Sequence, residues 1–384
     1  MLPKLQKIRR PLFNLGVLEM KKSLIALAVL AASGAAMAQS SVTLFGVADA
    51  GVTFVDGARN WTGLTSGNQL TSRIGFRGTE DLGGGLKANF WMEAGVNLDN
   101  GDGNSSYSAA GDGNSFAFKR RSTVGLQGGF GEVRLGRELT AAYSAVSRYD
   151  VFGSVGLGAS QLWGNGGNGD AAGAVDNGAR TTDQRVSNAV TYVSPNFAGF
   201  KVAANYGFGE VAGQNSQRRY MGLGATYDNG PLSLGLSGEQ LSRNDSALTA
   251  GDITAWSLGG SYDLGVAKLL AGYRQSTVDN FAFASTGADA KRKGYMLAVT
   301  APVGPGLVRA AYNRYQDSQT GTADAKADHF AIGYIYSLSK RTSVYGTYAY
   351  LKNKNGGTRF SINGDAGLDN GKQQGLQVGM THAF

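Results

Sequence analysis

From about residue 39 to the end, the chain alternates apolar and polar residues in one short segment after another, with no helical period of comparable length. In "PLSLGLSGE" Leu232, Leu234 and Leu236 share one face while Ser233, Gly235 and Ser237 share the other. "HFAIGYIYS" lines up Phe330, Ile332, Tyr334 and Tyr336, and "TSVYGTYAYLK" lines up Val344, Tyr348 and Tyr350. Period two is the mark of a β-strand with two unlike faces. The pattern predicts about sixteen strands, at 41–56, 69–82, 85–98, 115–128, 131–139, 185–195, 199–210, 218–228, 231–243, 252–264, 266–277, 290–302, 306–317, 327–338, 341–354 and 372–384.

The links between these segments alternate in length. Short ones read "LGGGLK", "GGFGE", "DNGPL" and "SLSKR"; the others are longer, polar and rich in Gly, Asn, Asp and Ser. An even number of strands with short turns at one end and long loops at the other describes a transmembrane antiparallel β-barrel with short periplasmic turns and long extracellular loops. A soluble sandwich or propeller would instead bury its oily faces and show water its polar ones. The polar faces repeatedly hold Gly, Ser, Thr, Arg and Gln, which suits a wet lumen, and closure satisfies every backbone donor in lipid. In "LTSRIGFRGTEDLGGGLK", Arg73 and Arg77 oppose Ile74 and Phe76. An arginine facing mid-membrane lipid costs roughly 2–4 kcal/mol, so the arginines point to the water inside. By the same parity Lys119 and Arg121 oppose Val124 and Leu126, and Arg134 is polar-facing, whereas Arg137 falls on the oily side near a strand end.

Composition narrows the classes further. Of 384 residues 59 are glycine, none is cysteine and 42% are hydrophobic, which removes disulfides, thiol catalysis and thiolate metal sites. Beyond the N-terminus no run approaches the ~18 apolar residues of a spanning helix. From Met20, "MKKSLIALAVLAASGAAMAQSS" has a basic start at Lys21 and Lys22, an apolar stretch from Leu24 to Ala32 and an Ala36-Met37-Ala38 cleavage site, the order of a secretory signal. Residues 1–38 are therefore expected to be an N-terminal extension and signal peptide, and 39–384 the barrel. Their removal takes six Lys/Arg and one Glu, leaving 30 basic against 27 acidic residues, so the net charge falls from +8 to +3 and a nucleic-acid partner loses its support. The last strand, "GLQVGMTHAF", sets Leu376, Val378, Met380, His382 and Phe384 on one face.

"SVTLFGVADAG", "SRIGFRGTEDLGGGLKANFWME", "RRSTVGLQGGFGEVRLGR", "NAVTYVSPNFAGF" and the terminal "VGMTHAF" resemble the Gram-negative general porins, the trimeric sixteen-stranded outer-membrane kind. The resemblance covers the chain from residue 41 to the end. It implies passive diffusion of ions and small hydrophilic solutes, a homotrimer, no cofactor, and a terminal Phe384 read by the outer-membrane assembly machinery. It also implies that the third extracellular loop, here 140–184, folds into the lumen as a constriction. A structureless link of that length in a compact barrel is usually functional. Block-to-block matching lays the family's arginine ladder on Arg73, Arg121 and Arg185, to which Lys119 adds a fourth cation. The family's acidic Pro-Glu-Phe-Gly loop signature is absent, and Asp150, before Val151-Phe152-Gly153, is the nearest candidate to face that wall. With basic candidates outnumbering acidic ones, a weak anion preference is expected, which Arg148, Arg180 and the loop acids would modulate.

Other chemistries have less to stand on. His329 and His382 are the chain's two imidazoles, and neither has a visible nucleophile partner, so enzyme activity is not expected. "NLDNGDGN", Asn97–Asn104, lacks the closing Glu of a calcium loop, and no helix follows "GGNGD" to make a phosphate cradle. The competing function is that of an adhesin, a barrel that binds surfaces through its extracellular loops.

Overall fold

A computed structural model of the chain describes residues 41–103, 116–163, 184–209, 212–213, 219–242, 251–281, 288–319, 323–354, 357, 359–362 and 365–384. Met1–Ala38, the "GGNGD" run, Asn104 and Arg180 lie outside them.

The strands are β1 (Ser41–Asp56), β2 (Asn60–Ser66), β3 (Arg73–Gly83), β4 (Leu86–Gly95), β5 (Arg121–Gly128), β6 (Gly131–Leu139), β7 (Arg185–Val193), β8 (Phe200–Gly207) and β9 (Tyr220–Asn229). They continue with β10 (Leu232–Leu241), β11 (Ile253–Asp263), β12 (Lys268–Phe281), β13 (Ala288–Val303), β14 (Gly306–Gln319), β15 (Ala325–Ser337), β16 (Thr342–Asn353) and β17 (Lys372–Ala383). One short helix, α1 (Ala141–Val146), and a 3-10 turn (Ser147–Tyr149) follow β6.

Every consecutive pair from β3 to β17 is antiparallel, and β1 pairs with β17 from Val47↔Ala383 to Asp56↔Gln374, which closes the sheet. The other edge of β1 is shared: its second half pairs with β2 and its first half with β3. β2 and β3 are thus two halves of one barrel strand, interrupted at residues 67–72, and the closed barrel has the sixteen strands expected. The sequence reading began that strand at 69 and passed over β2, because "NWTGLTS" has only Trp61 and Leu64 as large apolar residues and they fall on opposite faces.

The interruption is held by one carboxylate. Asp49, fully buried on β1, accepts the backbone N–H groups of Asn68 (2.8 Å), Gln69 (3.0 Å) and Leu70 (3.0 Å) and the hydroxyls of Tyr345 (2.8 Å) and Thr381 (2.5 Å). Backbone donors that the broken ladder leaves without partners converge on it instead.

The large exposed apolar side chains share one parity around the sheet, for example Val52 and Phe54 on β1, Leu234 and Leu236 on β10, and Leu376, Val378 and Met380 on β17. Their neighbours along each strand point inward and are for the most part polar or small, with large apolar ones such as Leu270, Met296 and Leu351 where an inner segment covers the wall. Oil outside and polarity inside is the inversion that a lipid-embedded barrel requires. The buried apolar residues are therefore not a strand-to-strand core. The main buried cluster forms where residues 145–163, with Phe360, Ile362 and Ala366, pack through Tyr149, Phe152, Leu157, Trp163 and Phe360 on inward residues of the wall such as Leu270, Met296, Tyr315 and Leu351.

Candidate functional site

Residues 140–163 run along the inside of the barrel. Thr140 caps α1 by accepting Tyr143 N–H at 3.1 Å, and the buried residues of the helix, Ala141, Ala142, Ala145 and Val146, are small enough to lie directly on the sheet. Gly224 and Gly235 make the close approach possible, since a Cβ at either would run into α1 backbone. Further on, the Tyr149 ring occupies the space above Gly259 and the Trp163 ring that above Gly272. Glycine at these inward positions turns part of the wall into a groove for the loop.

Polar contacts fasten the same segment. Arg148 makes a two-pronged bond to Asp228 at 2.8 and 3.0 Å, near a short turn. Ser160 bonds Asn313 at 2.7 Å and Gln161 N–H donates to the Tyr315 hydroxyl at 3.0 Å. His329, buried, has Nε2 3.1 Å from the Leu157 carbonyl and Nδ1 3.3 Å from the Tyr315 hydroxyl. A second segment joins from the β16–β17 link: Gln161 Nε2 donates to the Ser361 carbonyl at 3.0 Å, Phe360 stacks on Tyr315, and Arg359 meets Asp317 at 2.9 Å beside Arg292 at 2.8 Å.

Asp150 is turned into its own loop. It is buried, and its carboxylate accepts N–H groups from Phe152 (2.9 Å), Ser154 (3.0 Å) and Ser160 (3.0 Å). Full burial raises its carboxyl above the ordinary aspartate range, and these hydrogen bonds act against that shift. The cation beside it is Arg309 on β14, which bonds the Val151 carbonyl at 3.1 Å, and not one of the arginines of β3 or β5.

The inner face of β3–β6, by contrast, carries arginines that remain partly open to the lumen. The register orders them. Arg73 pairs with Gly95; one row on, Gly75, Glu93 and Arg121 are aligned; next come Arg77, Trp91 and Thr123; then Thr79, Asn89, Gly125 and Arg134. Arg73, Arg121, Arg77 and Arg134 therefore descend one row at a time, about 6.8 Å per row along the strands. Trp91 holds two rungs, its ring centroid 4.6 Å from the Arg121 guanidinium carbon and 5.2 Å from that of Arg77. Carboxylates lie behind: Glu93 is 2.6 Å from Arg120 and 3.8 Å from Arg73, while Glu138 is 2.5 Å from Arg134 and 3.6 Å from Arg121. With Glu132, 3.4 Å from Arg134, five arginines on this wall face three glutamates.

The expected basic residues are placed unequally. Arg73 and Arg121 stand in adjacent rows. Lys119 precedes β5, and its carbonyl accepts Arg137 Nε at 2.6 Å. Arg185 opens β7, is buried, and donates through Nε to the Arg120 carbonyl at 2.8 Å. Sequence reasoning passed over Glu93, Trp91 and Arg120, and it read Arg77 as lumen-facing without counting it in the ladder. The parity of "NFWMEAG" already put Trp91 and Glu93 on one face, but only the pairing with β3 and β5 brings them to the arginines.

Comparison with known proteins agrees with this architecture. A family model described as Gram-negative porin matches residues 24–356. Outer membrane porin protein 32 of Delftia acidovorans is 44% identical over 378 residues, covering 95% of this chain and all of that one. An outer membrane porin protein of Bordetella pertussis is 33% identical over 426 residues, again covering 95% of this chain and all of the other. Among solved structures, an anion-selective porin from Comamonas acidovorans superposes with a TM-score of 0.73 at 40% identity, covering 90% of this chain and all of that chain. A closed lipid-facing barrel, a polar interior and relatives matched along their whole length lead to one conclusion: the chain belongs to the Gram-negative porins, the channel-forming barrels of the outer membrane.

Proposed function

We propose that this porin passes small hydrophilic solutes and ions with a preference for anions, through the space between the 140–163 segment and the inner wall of β3–β6. The observation that carries this reading is the four-row arginine staircase, Arg73–Arg121–Arg77–Arg134, whose carboxylate partners are fewer and sit behind it. Rings and rows of fixed charge in a narrow aqueous gap bias which ions enter, because low-dielectric walls focus the field. The anion selectivity of the Comamonas acidovorans porin, 40% identical, supports the same sign.

In this proposal Arg73 and Arg121 are rungs in contact with the solute. Lys119 and Arg185 raise the potential at the upper end, and residues 140–184 narrow the passage. Asp150 contributes by folding that loop, its carboxylate being occupied by loop N–H groups. Residues 1–38 act as the extension and signal that direct residues 39–384 to the membrane, and three such barrels associate, as the family resemblance implies.

Reversal potentials of single channels across a salt gradient test the selectivity. Anion preference in the wild type that shrinks in the Arg73→Ala plus Arg121→Ala variant is the expected result. Cation preference in the wild type, or a value untouched by the double substitution, would overturn the assignment.

A further inference from the structure

On the inner wall two aromatic rings stand among the arginines. Phe45 has the inward parity of the buried Val47 and Asp49 on β1, and its ring fills the space that a side chain at Gly75 would need. Trp91 faces inward on β4, one row from Glu93. The ring centroids are 5.2 Å apart with the planes inclined at 69°, edge against face. Both rings are half-buried. Elsewhere on the inner wall, large apolar side chains such as Leu270, Met296 and Leu351 are buried in the cluster that the loop segments cover, to which neither Phe45 nor Trp91 belongs. Apolar surface left open and rimmed by charge marks a place where something binds.

Arg77 completes the arrangement. Its guanidinium carbon lies 5.3 Å from the Phe45 centroid and 5.2 Å from that of Trp91, so it sits against both rings. It is exposed, and it makes no hydrogen bond and no ion pair with any described residue. Its neighbours in the staircase differ, since Arg73 has Glu93 at 3.8 Å and Arg121 has Glu138 at 3.6 Å. The N–H fork of Arg77 is therefore open to a solute, and such a fork matches a carboxylate through two parallel hydrogen bonds.

We propose that this corner of the staircase is a subsite for aromatic carboxylates: Arg77 takes the carboxylate along its N–H edge, and the arene lies against the Phe45 and Trp91 rings. Edge-to-face contact with these rings stabilises an arene beyond what burial of its area supplies, and a saturated ring of similar size lacks that contribution. Arg121, 4.6 Å from the Trp91 centroid, and the 3.2 Å bond from the indole Nε1 to Glu93 hold the ring in place, so the subsite is formed before the solute arrives. The inference rests on the anion path along β3–β6 and adds to it the class of organic anion that the path favours.

The test uses the full-length porin in planar bilayers at neutral pH, with benzoate and cyclohexanecarboxylate as probes. They match in charge and nearly in size, and they differ in the π system. Each is titrated against the chloride current of single channels, and its affinity is read from the block it produces. Benzoate is expected to bind about three-fold or more tightly than cyclohexanecarboxylate. In Trp91→Leu, and separately in Phe45→Leu, the ratio of the two affinities should fall towards one; because both probes are read on the same variant, any change in its chloride current cancels. Phe130→Leu, which removes an exposed ring from the short turn between β5 and β6, should keep the wild-type ratio. Arg77→Gln should weaken both acids together. A ratio of one in the wild type, the wild-type ratio retained in both ring variants, a ratio of one in Phe130→Leu, or acids unaffected by Arg77→Gln would each overturn the proposal. Reversal potentials in potassium chloride on the same channels test the anion path separately: chloride preference with a ratio of one removes the subsite and leaves the path, and absence of chloride preference removes the path on which the subsite rests.

Discussion

The guanidinium of Arg309 on β14 lies 4.3 Å from the ring centroid of Phe152 in the loop and bonds the carbonyl of its neighbour Val151 at 3.1 Å. Both contacts are made away from bulk water, where a cation over an aromatic ring contributes about 2 kcal/mol or more. Arg309→Met keeps the stem's packing and removes the charge. Single-channel recording should show a noisier open state, with the barrel still resistant to heat; an unaltered noise spectrum would argue that the loop is held elsewhere.

Gly259 and Gly272 provide the space for Tyr149 and Trp163. Valine at either position forces the ring off the wall, and overpacking of this kind costs typically ~1–3 kcal/mol. Liposome swelling with sugars of graded size should then report a changed size limit, while the outward surface, and so membrane insertion, stays the same.

Arg77 shares the Trp91 ring with Arg121, and so belongs to the staircase. Arg77→Gln should reduce anion preference at low salt and have little effect near 1 M, where the screening length falls to about 3 Å. Measuring selectivity in both conditions separates a field effect from a change of pore shape, which salt would not mask.

Asp49 satisfies three consecutive N–H groups at the break between β2 and β3. Alanine there leaves buried donors without acceptors, each costing about 1–3 kcal/mol. The heat-induced mobility shift of the folded barrel on a gel should occur at a clearly lower temperature, whereas Asp56→Ala, at the exposed end of the same strand, should leave it unchanged.

Alternation by itself determined that this is a barrel, and which way it faces. In "SRIGFRG" the oily residues and the arginines lie on opposite sides of one strand, and the cost of an arginine in lipid assigns the inside to water. Fifteen of the sixteen segments were visible in their period, and only the strand split into β2 and β3 was misdrawn, because its break depends on Asp49, far away along the chain's own pairing and silent in any local pattern. The arginines were legible as inward-facing, but their order was not: that Arg121 stands between Arg73 and Arg77 follows from the register of three strands. Asp150 was legible as an acid in the right loop, yet its partners are backbone groups that only the folded loop brings to it. Periodicity reports the environment of a side chain because each strand has two faces. Which residues meet across strands depends on pairing and on where a loop finds glycines to lie on, and those are properties of the closed barrel.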